Sequence, residues 1–180
     1  MRALVTGGAI RLGREIALYL AKQGFDVAVH YAGSAEAAHD TVAEVQAMGR
    51  RSVALQADLL TDAGSQPLIA RASEGLSGGL TLLVNNASIF EYDTIETATR
   101  SSWDRHMESN LRAPFVLTQE FASQAPKGGI DKMGEPIAQA LVVNLLDQRV
   151  RKLTPDFMSD TLAKMGLWTL TQTAARALAP

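Results

Sequence analysis

The chain has no cysteine among its 180 residues. That excludes disulfides, thiolate nucleophiles, and thiolate-held zinc or iron–sulfur centres. Neither sign of charge is in excess: 17 basic residues stand against 19 acidic ones, for a formal net charge of -2. Nothing electrostatic therefore favours nucleic acid or an anionic membrane as the main partner. No apolar run approaches the roughly 20 residues a spanning helix needs. The opening Met-Arg-Ala-Leu-Val-Thr-Gly-Gly lacks the apolar stretch and cleavage site of a secretory signal. Internal repeats and low-complexity tracts are absent, and His30, His39 and His106 have no metal-ligand spacing, so no metal site is expected. These exclusions point to a soluble, cytoplasmic protein. With 47% hydrophobic residues, a chain of this length can form one domain with a real core.

Short apolar runs alternate with helical patterns. Ala3–Val5, Val27–Val29, Val53–Leu55, Leu80–Val84 and Ala140–Val143 read as buried strands. Helical spacing covers 13–23, where Ile16, Ala17, Leu20 and Ala21 share a stripe ahead of Gly24. Ser34 is a plausible N-cap for a helix running to Met48, with Gly49 beyond it. Further helices are predicted over 101–124 and 156–178, and a weaker one over 64–74. The Gly- and Lys-bearing stretch 126–136 reads as a surface loop. Strand–helix alternation with short connections predicts an α/β fold, a doubly wound parallel sheet with helices on both faces.

Thr6-Gly7-Gly8-Ala9-Ile10-Arg11-Leu12-Gly13 falls between the first strand and the first helix. In such sheets ligands sit at the carboxyl ends of the strands. Glycine lets the backbone approach a pyrophosphate, and the helix start supplies free N–H donors. The bland alternative is a tight turn with no ligand, since Arg11 interrupts the usual G-x-G-x-x-G spacing. After the second strand comes His30-Tyr31-Ala32-Gly33-Ser34, with no Asp or Glu to bind a ribose 2′-hydroxyl. A Ser34 hydroxyl at a helix start, with Arg11 nearby, suits a 2′-phosphate, which favours NADPH over NADH as cofactor.

The glycine turn, Asp58-Leu59 after the third strand, Asn85-Asn86-Ala87-Ser88 after the fourth, Asn110 and Lys164 together resemble the short-chain dehydrogenase/reductase family. The resemblance implies a Rossmann-type fold and a reductase that draws hydride from NADPH. It implies that Gly7, Arg11, Leu12, Gly13, His30, Tyr31, Ser34, Asp58, Leu59, Asn86, Ala87, Ser88 and Lys164 contact the cofactor, with Asp58 on the adenine and Lys164 on the nicotinamide ribose. Asn110 would hold a water in a proton relay. Three details are similar to the family's pteridine reductases: Arg11 in the cofactor turn, Phe90 placed to stack a pterin, and Asp147 where most members have serine. Arg11, Ser88, Phe90 and Asp147 are thus the expected substrate contacts, although Phe90 could be a core residue and Asp147 a solvated loop carboxylate. The substrate would be a small pterin, dihydrofolate-like or carbonyl molecule. The resemblance also implies a homo-oligomer, dimer or tetramer, paired through the helices over 101–124 and 156–178, which the apolar series Leu162, Leu167, Leu170 and Ala174 allows, although one such stripe can instead face the sheet.

Two departures stand out. The family's Tyr-x-x-x-Lys motif reads Asp160-Thr161-Leu162-Ala163-Lys164 here. The i,i+4 spacing keeps both side chains on one helix face, but the phenol is gone. An ammonium neighbour is expected to push a carboxyl below its ordinary value of about 3.9, leaving an acceptor with no proton to give. Impaired catalysis is therefore expected from the set Asp147, Asp160, Lys164 and Asn110. Two escapes are a proton shared between Asp160 and Asp147, or delivery from Asp147 through a water. The plain alternative is a helix ion pair between Asp160 and Lys164, worth roughly 0.3–0.5 kcal/mol. The second departure is at the end: the family's last two strands and substrate lid are not in this sequence, so residues 1–180 are expected to form one cofactor-binding domain.

Overall fold

A computed structural model describes residues 1–180. The strands β1 (Arg2–Val5), β2 (Asp26–Tyr31), β3 (Ser52–Gln56), β4 (Leu82–Asn85) and β7 (Leu141–Asn144) form one sheet in the order β3-β2-β1-β4-β7. Every pairing in it is parallel. The helices are α1 (Arg11–Lys22), α2 (Ala35–Ala47), α3 (Asp62–Ser65), α4 (Leu68–Gly75), α5 (Arg100–Met107), α6 (Ala113–Gln124) and α7 (Met158–Leu178). No helix is long and apolar enough to cross a membrane.

Side chains alternate across a strand, and the sheet accordingly separates two cores. Ala3, Val5, Val27, Val29, Leu82 and Val84 pack with α1 and α2 through Ala17, Ala21, Ala38 and Val45. Leu4, Ala28 and Leu83 face the other way, onto Leu68, Ile69 and Ala72 of α4 and Leu117 and Phe121 of α6. The chain winds outward from β1 to β3 and then returns to β4 on the opposite side of β1. This reversal opens a crevice at the carboxyl ends of β1 and β4.

Four sequence expectations change in detail. The helix over 101–124 is interrupted by a π-helical turn at Glu108–Arg112 that carries Asn110. The stretch over 64–74 divides into α3 and α4, with Pro67 between them. The loop over 126–136 contains a small antiparallel pair, β5 (Gly129–Ile130) and β6 (Pro136–Ile137), closed where the Asp131 carboxylate accepts the Met133 and Glu135 amides. On α7 the apolar series splits: Leu167 is buried and Leu162 exposed, while Leu170 and Ala174 line a cavity of about 550 Å³ beside β7.

The start of α7 is held by tertiary contact. Its N-cap, Phe157, offers no capping side chain. The buried Asp93 carboxylate accepts the Ser159 amide at 3.0 Å, and the Asp93 carbonyl accepts the Met158 amide. Burial alone would raise the Asp93 carboxyl, but donors on Ser159 and Ser102 hold it below the ordinary carboxylate value. Asp93→Ala should cost about 1–3 kcal/mol, because it removes a cap and leaves a buried amide unpaired. Urea unfolding of the two proteins checks this.

Candidate active site

Parallel pairing brings all five strand ends to one edge, and the residues singled out in the sequence follow those ends. At β1, Gly7 takes φ +60, and a Cβ on Gly13 would lie 2.0 Å from the Gly7 carbonyl oxygen. A side chain at Gly7 would be strained and crowd Ala87 at 3.1 Å, and Gly13 has no room for one. Arg11 has φ 52, the left-handed backbone that glycine adopts at no steric cost. Its side chain is exposed and forms no ion pair. Ile10 gives α1 no side-chain cap, so the first amides of that helix remain free donors. Ser34 precedes α2 without spending its hydroxyl on a cap. An anion can therefore meet two helix starts, a guanidinium and a hydroxyl along this rim, and the glycines leave the backbone bare for close approach. These residues fit a dinucleotide phosphate.

The turn is clamped from both sides. Asn86 Nδ2 donates to the Thr6 and Gly7 carbonyls at 2.9 and 3.1 Å, and Thr6 Oγ1 accepts the amides of Asn86 and Ala87. From β2, His30 Nδ1 accepts the Gly7 amide at 3.0 Å, so Nε2 carries the proton and donates to the Ala57 carbonyl. Burial pushes the His30 imidazole down to about 4.

This packing engages the side chains of three expected cofactor contacts. His30 is buried with both ring nitrogens engaged, so its side chain braces the turn and has no atom left for a ligand. Leu59 turns into the core beneath the sheet. The Asn86 amide nitrogen is taken up by the turn it holds. Tyr31 is half-buried against the core. Leu12, Ser88 and Asp58 are exposed at the rim; one Asp58 oxygen accepts the Leu60 amide.

The second half of the site lies around α7. Asn110 Nδ2 donates to Asp160 Oδ1 at 2.8 Å and to the Ile89 carbonyl at 2.7 Å, while its Oδ1 accepts the Ile89 amide. The π turn directs this side chain inward, and Asn110 is fully buried. Lys164 Nζ donates to the Leu145 carbonyl at 3.0 Å, and no ion pair with Asp160 forms. Asp160 is 1% exposed and its Oδ2 has no partner.

The expected downward shift of the Asp160 carboxyl is overturned. Burial raises its carboxyl above the ordinary 3.8, and the Lys164 ammonium and the Asn110 amide, which pull it down, do not offset that. Burial likewise lowers the Lys164 ammonium from 10.5, against the pull of Asp160 and Asp147. Desolvation thus wins over mutual attraction for both groups. Asp147 shares no hydrogen bond with Asp160. Its Oδ1 accepts the Arg149 amide at 2.8 Å and the Arg149 guanidinium at 3.1 Å.

Phe90 is 54% exposed and not a core residue. Its ring lies parallel to that of Phe157, with centroids 4.1 Å apart and planes 8° from parallel. Arg149 sits beside both rings, and Tyr92 packs edge-on against Phe157. Arg149 and Phe157 were missed in the sequence. Arg149 follows Asp147 by two, a spacing compatible with a capped turn, but nothing local predicts a phenylalanine with φ 55.

The sequence model of the short chain dehydrogenase family matches residues 1–180. The chain belongs to the short chain dehydrogenase family. Among solved structures, it resembles FolM alternative dihydrofolate reductase 1 from Brucella suis, crystallised with NADP. The TM-score is 0.89 at 39% identity, over 99% of this chain and 70% of that one. A short chain dehydrogenase from Burkholderia cenocepacia in complex with NADP superposes with a TM-score of 0.86 at 35% identity, over 98% of this chain and 68% of that one. A curated relative is the 3-oxoacyl-[acyl-carrier-protein] reductase FabG of Staphylococcus aureus (strain Mu50), 34% identical over 98% of this chain and 68% of its own length. This short chain dehydrogenase is thus an oxidoreductase with the family's doubly wound sheet.

Two opposite pH effects on stability follow. His30 has a folded value of about 4 against an unfolded 6.5, so only the unfolded chain gains a proton in that window. Stability should fall by roughly 3 kcal/mol as pH drops from 6.5 to 4, and His30→Gln should remove that slope in urea titrations. Asp160 has a folded value above 3.8, so its folded form holds the proton more tightly. Its contribution is fully present below 3.8 and is lost as pH rises through the folded value. Asp160→Asn should abolish that decline, gaining stability relative to the parent at neutral pH.

Proposed function

We propose that this short chain dehydrogenase binds NADPH along the β1–β4 crevice and reduces a pterin- or dihydrofolate-like ring, with proton delivery impaired at Asp160. The observation that carries this reading is the exposed Phe90 ring beside the Asp147–Arg149 pair, at the same sheet edge as the glycine turn and Lys164. A flat aromatic face flanked by a carboxylate and a guanidinium suits a planar heterocycle whose edge carries both donors and acceptors. The 39% identity to an NADP-bound alternative dihydrofolate reductase supports the same substrate class and cofactor.

NADPH supplies the hydride when bound. The free amides at the start of α1, with Arg11, hold the pyrophosphate, and Ser34 and Arg11 would donate to the 2′-phosphate. Asp58 stands at the rim toward the adenine, and Ala87 and Lys164 toward the nicotinamide ribose. Phe90 orients the ring to be reduced, while Ser88 at the rim and Asp147 present polar atoms to it. Asn110 fixes Asp160, and Asp160 stands where the family's tyrosine would donate a proton. Burial raises the Asp160 carboxyl, and its side chain is enclosed and tied to Asn110, short of the crevice. Asp147, half-buried and paired with Arg149, would orient a water that delivers the proton. Trp103 and Leu162, 40% and 42% exposed on α5 and α7, suit contact with a second copy of the chain.

The 34% identity to a 3-oxoacyl reductase favours a second reading, an ordinary carbonyl reductase; Asp147 in place of a hydroxyl weighs against it. A third is an NADP(H)-binding protein without turnover, which Asp160 favours. NADPH oxidation with dihydrobiopterin separates the three. Slow turnover should rise about 10²–10⁴-fold in Asp160→Tyr, the usual worth of a positioned general acid. Faster turnover of a 3-oxoacyl thioester than of dihydrobiopterin supports the second reading. Tight NADPH binding with no turnover in either protein overturns the reductase assignment.

A further inference from the structure

Phe157 combines three features that no packing requirement demands together. Its backbone is left-handed, at φ 55 and ψ 51, a conformation a bulky non-glycine residue rarely holds without a reason. Its ring covers one face of Phe90 in near-parallel contact. It also begins a helical turn in which Asp160 Oδ2 and Thr161 Oγ1 are buried without a hydrogen-bond partner. Buried polar groups are normally paired, so this turn is held at a cost in both backbone and hydrogen bonding; the Asp93 bonds to the Met158 and Ser159 amides keep the helix start in place, and what moves is the Phe157 ring.

The covered face of Phe90 is the one turned toward α7 and Arg149, and Asp160 lies three residues beyond Phe157. A planar ring stacked on that face would occupy the place that Phe157 now fills. We propose that Phe157 is the specificity-determining residue of the site, a displaceable ring that yields the α7 side of Phe90 to a planar heteroaromatic substrate. This rests on the pterin reading above. A small aliphatic carbonyl compound cannot replace the stacking contact and leaves Phe157 where it is, so the site selects flat aromatic substrates over short-chain ones. Arg149, beside both rings, keeps a cationic neighbour for whichever ring lies over Phe90.

Folic acid, a non-reduced pteridine, is the probe, titrated calorimetrically into the NADP⁺-saturated protein. Phe157→Gly removes the competing ring and suits the left-handed backbone, so affinity should increase about tenfold as the open form becomes dominant. Phe157→Leu keeps apolar bulk without a flat face and should shift in the same direction by less; it stands alone if the glycine variant does not fold. Phe90→Ala should weaken binding, and NADP⁺ affinity should be unchanged by either Phe157 substitution. Equal folic acid affinity in the parent and both Phe157 variants overturns the displacement proposal and leaves the pterin reading standing. Weaker binding in both variants also overturns it, since Phe157 would then be a wall of the site. No folic acid binding to any of the proteins, with NADP⁺ still bound, overturns the pterin reading itself.

Discussion

The hydrogen bonds between the end of β4 and the glycine turn after β1 are the constraint on which the site depends. Asn86 and Thr6 bind each other's backbone across the two central strands, and His30 adds a third brace from β2. Through them the Gly7 carbonyl is pressed so closely against Gly13 that no side chain fits. The result is a bare, rigid backbone concavity beside a helix start. That concavity lies at the point where the chain reverses direction across the sheet, so the residues following β2, β3, β4 and β7 are carried to the same rim. Were the clamp loosened, the free amides of α1 would lose their common direction.

A second balance governs the reactive end. Asp160 and Lys164 lie one helical turn apart, and attraction between them would favour both charged forms. Burial opposes both, raising one group and lowering the other. The lysine meets the penalty by donating to the Leu145 carbonyl, and the aspartate by accepting from Asn110. A phenol at position 160 would extend past this buried layer toward the crevice. A carboxyl is too short to leave it, so position 160 ends on the wrong side of the packing.

Much of this was legible in the residues. Val27–Val29, Leu82–Val84 and their neighbours read as strands because both faces of a parallel sheet are buried, leaving unbroken apolar runs. Gly7 and Gly13 announced the turn because a tight strand-to-helix reversal with a bare backbone needs positions free of side chains. The π turn at Glu108–Arg112 left no such trace, since its residues are ordinary helix formers and the extra residue is accommodated only by packing against α7. The β5–β6 pair was hidden for a related reason, each strand being only two residues long.

The sequence by itself determined the alternation of strands and helices, the anion-binding turn, the absence of an acidic residue after β2, and the loss of the phenol at position 160. These are local matters of side-chain type and spacing. Only the tertiary structure decided that His30 and Leu59 face inward, that Asp160 is raised and not depressed, and that Phe157 lies on Phe90. Burial, the charges converging on a group from several elements, and the stacking of rings 67 residues apart are properties of the assembled neighbourhood, which no single stretch of chain contains.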